Sequence, residues 1–196
     1  MSSKTDSNIT QKLKTRLGSM FPLLHWSIAL LIILQGALGA ANLRIAWLQQ
    51  HLATGILVHE QLGLLILILT VILLISRIAT GRHSGEGTIT MHRRLAKLVH
   101  GAFYSLIFLE CAIGIWMMGL LGKGLTIFIW HWSLPIVRDP HLVSHTILQL
   151  HALIALFLAG LIVIHSIAAL YHHFILRDEV LLRMLPRLRT HTGQKT

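Results

Sequence analysis

The stretch from Thr146 to Phe174 is an almost unbroken apolar run that contains two histidines, His151 and His165. It is long enough to cross a lipid bilayer as one helix, because about 20 apolar residues rising ~1.5 Å each span the ~30 Å hydrocarbon core. The histidines are 14 residues apart, which at ~100° per residue brings them to within ~40° of one helix face and separates them by ~21 Å. One predicted helix therefore offers one imidazole to each half of a membrane.

Three further apolar runs predict three more membrane spans. The mean hydropathy is +0.69 and only 12% of the residues are charged, which excludes an ordinary soluble domain. We predict an all-α membrane protein, a four-transmembrane-helix bundle over residues 21–176, with a basic N-terminal segment (1–20) and a basic C-terminal tail (177–196). The predicted helices are Phe21–Ala41, Thr54–Ser76, Leu98–Leu121 and Thr146–Phe174.

The first apolar run has a second interpretation, because a basic segment precedes it and Ala37 to Ala40 resembles a signal-peptide cleavage site. The run is about 20 residues long, whereas the apolar region of a signal peptide has 7–15. We therefore predict a membrane helix, preceded by a flexible or interfacial segment.

The connection from Gly122 to His145 is rich in aromatic residues and predicts an interfacial loop, with a short helix as an option. Its aromatic residues and proline are Phe128, Trp130, Trp132 and Pro135. Its histidines, which we interpret as ordinary surface residues, are His131, His141 and His145.

The basic residues indicate the orientation in the membrane. The N-terminal segment, the 77–97 loop and the C-terminal tail carry four, five and five Lys or Arg, 14 in total, whereas the other two connections carry three: Arg44, Lys123 and Arg138. Basic residues concentrate on the cytoplasmic side. We therefore predict that both termini are cytoplasmic, and we attribute the net charge of +10 to topology and lipid contacts rather than nucleic-acid binding.

This orientation sorts the histidines of the spans by depth. His59 and His151 begin their helices on the outer side, so they share the outer leaflet. His165 lies on the inner side, where His25 and His100 begin helices and compete as its partner. Facing imidazoles at one depth can ligate a haem iron from both sides, which leaves no open position and suits single-electron transfer.

A zinc site is the alternative metal chemistry. It would favour four clustered ligands, commonly including carboxylates or thiolates, and acidic residues are scarce in these spans. The single cysteine, Cys111, excludes a disulfide framework, a cysteine-ligated iron–sulfur cluster and C-x-x-C-H haem attachment. A further class is a haem-free transporter that uses its histidines as proton relays.

Several short motifs together resemble one known family. They are Leu24-His25-Trp26, His59 with Gly63, His100 with Tyr104, His151 with His165, His172-His173, and the tail from Leu181 to Pro186. Over roughly residues 21–189 the pattern resembles the bacterial di-haem cytochrome b-561 family, in particular its quinone-linked, superoxide-oxidising members. It also resembles, more loosely, the cytochrome b subunits of formate dehydrogenases and nickel-iron hydrogenases.

The resemblance implies two haem b groups per chain, with axial pairs His25/His165 and His59/His151. It places His100 outside the ligand set, near a quinone or a haem propionate. From their own position we interpret His172 and His173 as interface residues, either of which could contact a bound quinone. It implies a bacterial inner-membrane enzyme that passes electrons from periplasmic superoxide to ubiquinone. The alternative is an electron-transfer subunit fed by a partner dehydrogenase, a hydrogenase or a periplasmic carrier. The choice between monomer and homodimer stays open.

Overall fold

Four long helices dominate the computed structural model, which describes residues 2–44, 51–81, 90–127 and 129–185. The helices are α1 (Ser2–Arg44), α2 (Leu52–Thr80), α3 (Thr90–Leu120) and α4 (Leu148–Tyr171). Each contains a segment long and apolar enough to cross a membrane: Gly18–Ala41, Thr54–Thr80, Arg93–Leu120 and Leu148–Leu176. The predicted fold class, an all-α membrane protein with four transmembrane helices, is confirmed.

The helices extend beyond the apolar runs that predicted them. α1 begins at Ser2, so the segment expected to be flexible or interfacial is helical in the structure. α3 begins at Thr90 rather than near Leu98. Polar and basic residues form helix readily when a neighbouring apolar segment already fixes the helix axis, because propagation adds one hydrogen bond per residue.

α4 is flanked by two wider, π-helical turns, Val143–Ile147 before it and His172–Leu176 after it. A short helix, Pro140–Leu142, leads into the first turn, and the carboxylate of Asp139 caps it by accepting a hydrogen bond from the Leu142 amide, 3.0 Å away. The second turn ends at Arg177, whose φ of 53° is left-handed.

We name the two ends of the bundle inner and outer after the predicted orientation. The outer connection contains a β-hairpin where the sequence predicted a loop or a short helix. β1 (Leu125–Ile127) pairs antiparallel with β2 (Trp130–Trp132). The main chain of Thr126 ties the hairpin to α2: its amide donates to Glu60 Oε1 at 2.8 Å, and its carbonyl accepts from Gln61 Nε2 at 2.5 Å. Phe128 lies outside the described residues, as does Pro186 in the C-terminal tail.

Three small apolar clusters hold the bundle together at three levels. At the inner end, Phe21, Leu24, Ile28 and Leu73 join α1 to α2. In the middle, Ile66, Ile107 and Leu158 join α2, α3 and α4. At the outer end, α3 meets α4 and its lead-in through Ile113, Leu120, Val143, Ile147 and Ile154. Many other large apolar side chains are exposed, as expected where lipid is the solvent.

The inner end is further tied together by polar contacts. Nε1 of Trp26 on α1 donates a hydrogen bond to the carbonyl of Met184, 2.7 Å away. Arg77 at the end of α2 lies over the ring of Phe21, 5.8 Å from its centroid, and Nη1 donates to the hydroxyl of Tyr104 at 3.3 Å. The inner end therefore joins α1, α2, α3 and the C-terminal segment.

Candidate functional site

His59 on α2 and His151 on α4 face each other in the outer half of the bundle. Their ring centroids lie 6.1 Å apart and their planes are inclined by 70°. Nδ1 of each ring is buried and has no aligned hydrogen-bond partner in the described part of the chain. A buried polar atom without a partner is costly, so this pair has the character of a binding site.

Glycines bring neighbouring helices close to both rings of the outer pair. A Cβ atom on Gly39 of α1 would lie 3.3 Å from Cε1 of His59, and one on Gly114 of α3 would lie 3.8 Å from Cε1 of His151. The sequence motif pairs His59 with Gly63, one turn further along α2. In the structure a Cβ on Gly63 would instead meet Nε2 of Gln35, at 3.3 Å.

Gln35 and Glu110 add polar groups around the outer pair. Nε2 of Gln35 donates to the main-chain carbonyl of His59 at 2.8 Å. Oε1 of Glu110, on α3, lies 3.3 Å from Nδ1 of His151. Four helices therefore contribute to the outer site, with α2 and α4 supplying the rings.

Three histidines meet at the inner end of the bundle. The ring of His165 on α4 lies 6.3 Å from that of His25 on α1 and 5.7 Å from that of His100 on α3, between centroids. Phe103 packs edge-on against His165 at 5.3 Å. Nδ1 of His100 lies 2.6 Å from the carbonyl of Ala96, one turn earlier, and donates to it in the tautomer that this contact requires.

The spacing of both predicted pairs suits a metal ion held between two imidazoles. Metal–imidazole bonds of ~2 Å on each side, with ring nitrogens ~1 Å from the ring centre, place two ring centroids about 6 Å apart. Within the described ranges there is no group of three or more His, Cys, Asp or Glu side chains that could hold a metal ion. Paired ligation therefore fits this site better than a zinc cluster.

Four further histidines named from the sequence have described side chains: His131, His141, His172 and His173. His131 and His141 are exposed, as the sequence predicted, and the side chain of His145 lies outside the described residues. His172 contacts Oδ2 of Asp178 through Nδ1 at 2.5 Å, and His173 packs against Phe174.

A helical membrane bundle with histidine pairs in each half defines a class, the membrane cytochromes that carry electrons on histidine-ligated haem. Residues 16–187 match the family described as prokaryotic cytochrome b561. The chain belongs to this family. It is accordingly a multi-pass membrane protein that binds haem b and transfers electrons.

Two curated relatives match nearly the full length of the chain. It is 28% identical to "Cytochrome b562" of Cereibacter sphaeroides over 166 residues, 83% of this chain and 90% of the relative. It is 26% identical to "Cytochrome b561 homolog 2" of Escherichia coli over 179 residues, 91% of this chain and 95% of the relative. Both matches agree with the resemblance carried by the histidine motifs.

The sequence analysis missed four residues around the outer pair: Gln35, Gly39, Glu110 and Gly114. Gly39 and Gly114 are two among many small residues in the spans, and nothing in their local sequence distinguishes them. Glu110 did carry a signal, because it is a single acidic residue within an apolar run.

Proposed function

We propose that this cytochrome passes electrons across the bacterial inner membrane, oxidising superoxide on the outer side and reducing ubiquinone on the inner side. The observation that carries the proposal is the arrangement of α4, which presents His151 to His59 and, 14 residues later, His165 to His25. One helix thus contributes to two stacked sites, one in each half of the membrane.

We propose that each site holds one haem b, with His59/His151 as the outer axial pair and His25/His165 as the inner pair. The bound haem supplies single-electron chemistry. The residues of the chain decide what that chemistry is used for: one imidazole on each side of the bound iron would leave no position for oxygen and would favour electron transfer. The buried cluster of Ile66, Ile107 and Leu158 in the middle of the bundle would keep water from the path between the sites.

The proposed reaction balances over two turnovers. Two superoxide anions each lose one electron and become dioxygen, and ubiquinone takes up both electrons with two protons to become ubiquinol. Superoxide is a small anion, so cationic side chains near the outer site would attract it. Arg44, Lys123 and Arg138 are exposed on the side that the charge distribution assigns to the exterior.

The inner end supports a quinone acceptor through its polar groups. His100, the hydroxyl of Tyr104 and the guanidinium of Arg77 lie on α2 and α3 beside the His25/His165 pair, and Arg77 and Tyr104 are hydrogen-bonded to each other. Such groups can orient a quinone carbonyl by hydrogen bonding. We propose that His100 contacts the quinone or a haem propionate there.

The test uses the purified full-length chain in detergent or lipid. We expect about two haems per chain in a reduced-minus-oxidised spectrum, with His151→Ala and His165→Ala each leaving about one. Mixing the oxidised protein with a superoxide source in a stopped-flow instrument should reduce the haem faster than background, and added ubiquinone should reoxidise it. Haem reduction no faster than background, with both haems in place, would reject superoxide as the donor.

The second candidate function is an electron-transfer subunit fed by a partner dehydrogenase, hydrogenase or periplasmic carrier. The observation that favours it is the apolar surface of the outer connection, where Ile129 is 89% and Val137 is 86% exposed. A protein partner could cover such a surface. Superoxide-dependent ubiquinone reduction by the isolated chain distinguishes the two functions, because a partner-fed subunit would not show it.

A further inference from the structure

Glu110 is a carboxyl group placed deep within a predicted membrane span. It lies ten residues before the end of α3 at Leu120, or about 15 Å along the helix axis, in the interior of the Arg93–Leu120 span. Its side chain is 17% exposed. An ionisable group at this depth is costly unless it faces the bundle interior and has a partner, so it is a functional candidate by default.

The side chain that faces Glu110 is His151. Oε1 of Glu110 lies 3.3 Å from Nδ1 of His151, and neither Nδ1 nor the second carboxyl oxygen, Oε2, has an aligned hydrogen bond within the described residues. The two groups are thus adjacent and both lack another partner there. A small rotation of either side chain converts this contact into a hydrogen bond.

α3 holds the ring of His151 at two points one turn apart. Glu110 lies at its Nδ1 atom, and Gly114, four residues further on and therefore on the same face of α3, lies against Cε1. With Nδ1 directed at Glu110, the nitrogen left to bind a metal ion between the rings is Nε2. His59 has a different environment, since among the described residues its ring has no carboxylate contact of the kind that His151 makes with Glu110.

We propose that Glu110 is a positioning residue that accepts a hydrogen bond from the Nδ1–H group of His151 and so presents Nε2 of that ring to the outer haem iron. A carboxyl oxygen accepts this hydrogen bond in either protonation state, so the role does not depend on titration of Glu110. Such a partner fixes the ring orientation and makes the ligating nitrogen a stronger donor. It stabilises the oxidised iron relative to the reduced iron, and it does so at one of the two sites only.

The inference rests on the proposed ligation of the outer haem by His151, and its test measures midpoint potentials rather than enzyme activity. Glu110→Leu removes the acceptor at nearly constant side-chain size. In a spectroelectrochemical titration of the full-length holoprotein, we expect the reduction equilibrium of the outer haem to shift roughly tenfold toward the reduced form, about 59 mV for one electron. Glu110→Gln keeps an acceptor oxygen and should shift it less.

Two controls separate positioning from general packing. The inner haem, held about 21 Å away along α4, should keep its potential in both variants. Cys111→Ala alters the next residue of α3, whose Sγ faces the carbonyl of Gly63 at 3.6 Å rather than His151, and should leave the outer potential unchanged.

The inference is overturned if Glu110→Leu leaves the outer potential at the wild-type value. It is also overturned if both haems shift equally or if Cys111→Ala gives the same shift. If the leucine variant retains only one haem, Glu110→Ala, which removes the acceptor without adding an apolar branch, provides the decisive measurement, and an unchanged outer potential there overturns the inference. A different result would show that His151 does not ligate the outer haem: His151→Ala would then retain two haems with unchanged spectra.

Discussion

His100 and His165 face each other at the inner end of the bundle with their ring centroids 5.7 Å apart. This separation is as suitable for shared ligation of an iron as the 6.3 Å between His25 and His165. Nδ1 of His100 contacts the carbonyl of Ala96. This contact would suit either of two roles for the other ring nitrogen, Nε2: ligation of an iron or a hydrogen bond. Mutation separates the two roles.

We predict that His25→Ala empties the inner site and that His100→Ala does not. Haem per chain, measured as the pyridine haemochrome, should fall from about two to about one in the first variant and stay at about two in the second. The proposed pairing fails if the two variants give the opposite result, since helix α3 would then supply the inner ligand.

Gly39 offers a second test at the outer site. Because a Cβ atom there would lie 3.3 Å from Cε1 of His59, we expect Gly39→Leu to displace the ring and leave about one haem per chain. Gly36→Leu is the matched control on the same helix, since a Cβ at that position meets no atom within 4 Å, and it should retain about two. Equal haem contents in the two variants would contradict the placement of Gly39 at the site.

Trp26 connects the start of the first span to the C-terminal segment through its hydrogen bond to the Met184 carbonyl. Trp26→Phe should lower the free energy of unfolding by about 0.5–1.5 kcal/mol, the usual contribution of one hydrogen bond. Trp116→Phe is the control, because Trp116 is as exposed as Trp26, 41% against 42%. Thermal unfolding in detergent measures both, and an equal loss in the two variants would show that the hydrogen bond contributes nothing.

The distribution of basic residues predicts the topology. A reporter fused after Thr196 should be active only as a cytoplasmic reporter, whereas a fusion at Trp132 in the hairpin should be active only as a periplasmic one. Periplasmic activity after Thr196 would reverse the assignment of outer and inner sites.

Superoxide capture should depend on the outer cations if the proposed reaction is correct. Neutralising Arg44, Lys123 and Arg138 together should slow haem reduction by superoxide by up to about tenfold at low salt, and less at physiological ionic strength, where the screening length is ~8 Å. Reduction by a neutral chemical donor should not change. The matched control neutralises the same number of inner charges: Arg93, Arg94 and Lys97. It should leave the rate of haem reduction by superoxide unaltered. A slowing of equal size in this control would rule out electrostatic steering at the outer face.

The four spans could be predicted from the sequence because hydrophobicity over about 20 residues is a local property. The helix ends could not be, since Ser2 and Thr90 begin helices within polar segments that carry no apolar pattern. The β-hairpin was missed for a related reason: each strand has three residues, and the contact that fixes it joins Thr126 to Glu60, far away in the chain.

The sequence predicted how deep in the membrane each histidine of the candidate site lies. It did not predict in which direction around its helix each side chain points. Helix position and orientation placed His59 with His151 and brought both His25 and His100 to the level of His165, and the structure brings these rings together as expected. Which side chain faces which ring depends on helix rotation and close packing, and that is why Glu110, Gly39 and Gly114 emerged only from the structure.

His151 and His165 lie on one continuous helix, so the number of residues between them sets the distance between the two sites. Inserting one residue between them would turn the inner half of α4 by about 100° and advance it by ~1.5 Å, which carries His165 away from both His25 and His100. Most substitutions between the two histidines leave this spacing intact. Over this segment the protein should therefore tolerate changes in amino-acid identity far better than a change in length, and a single insertion should disable the inner site while leaving the outer one assembled.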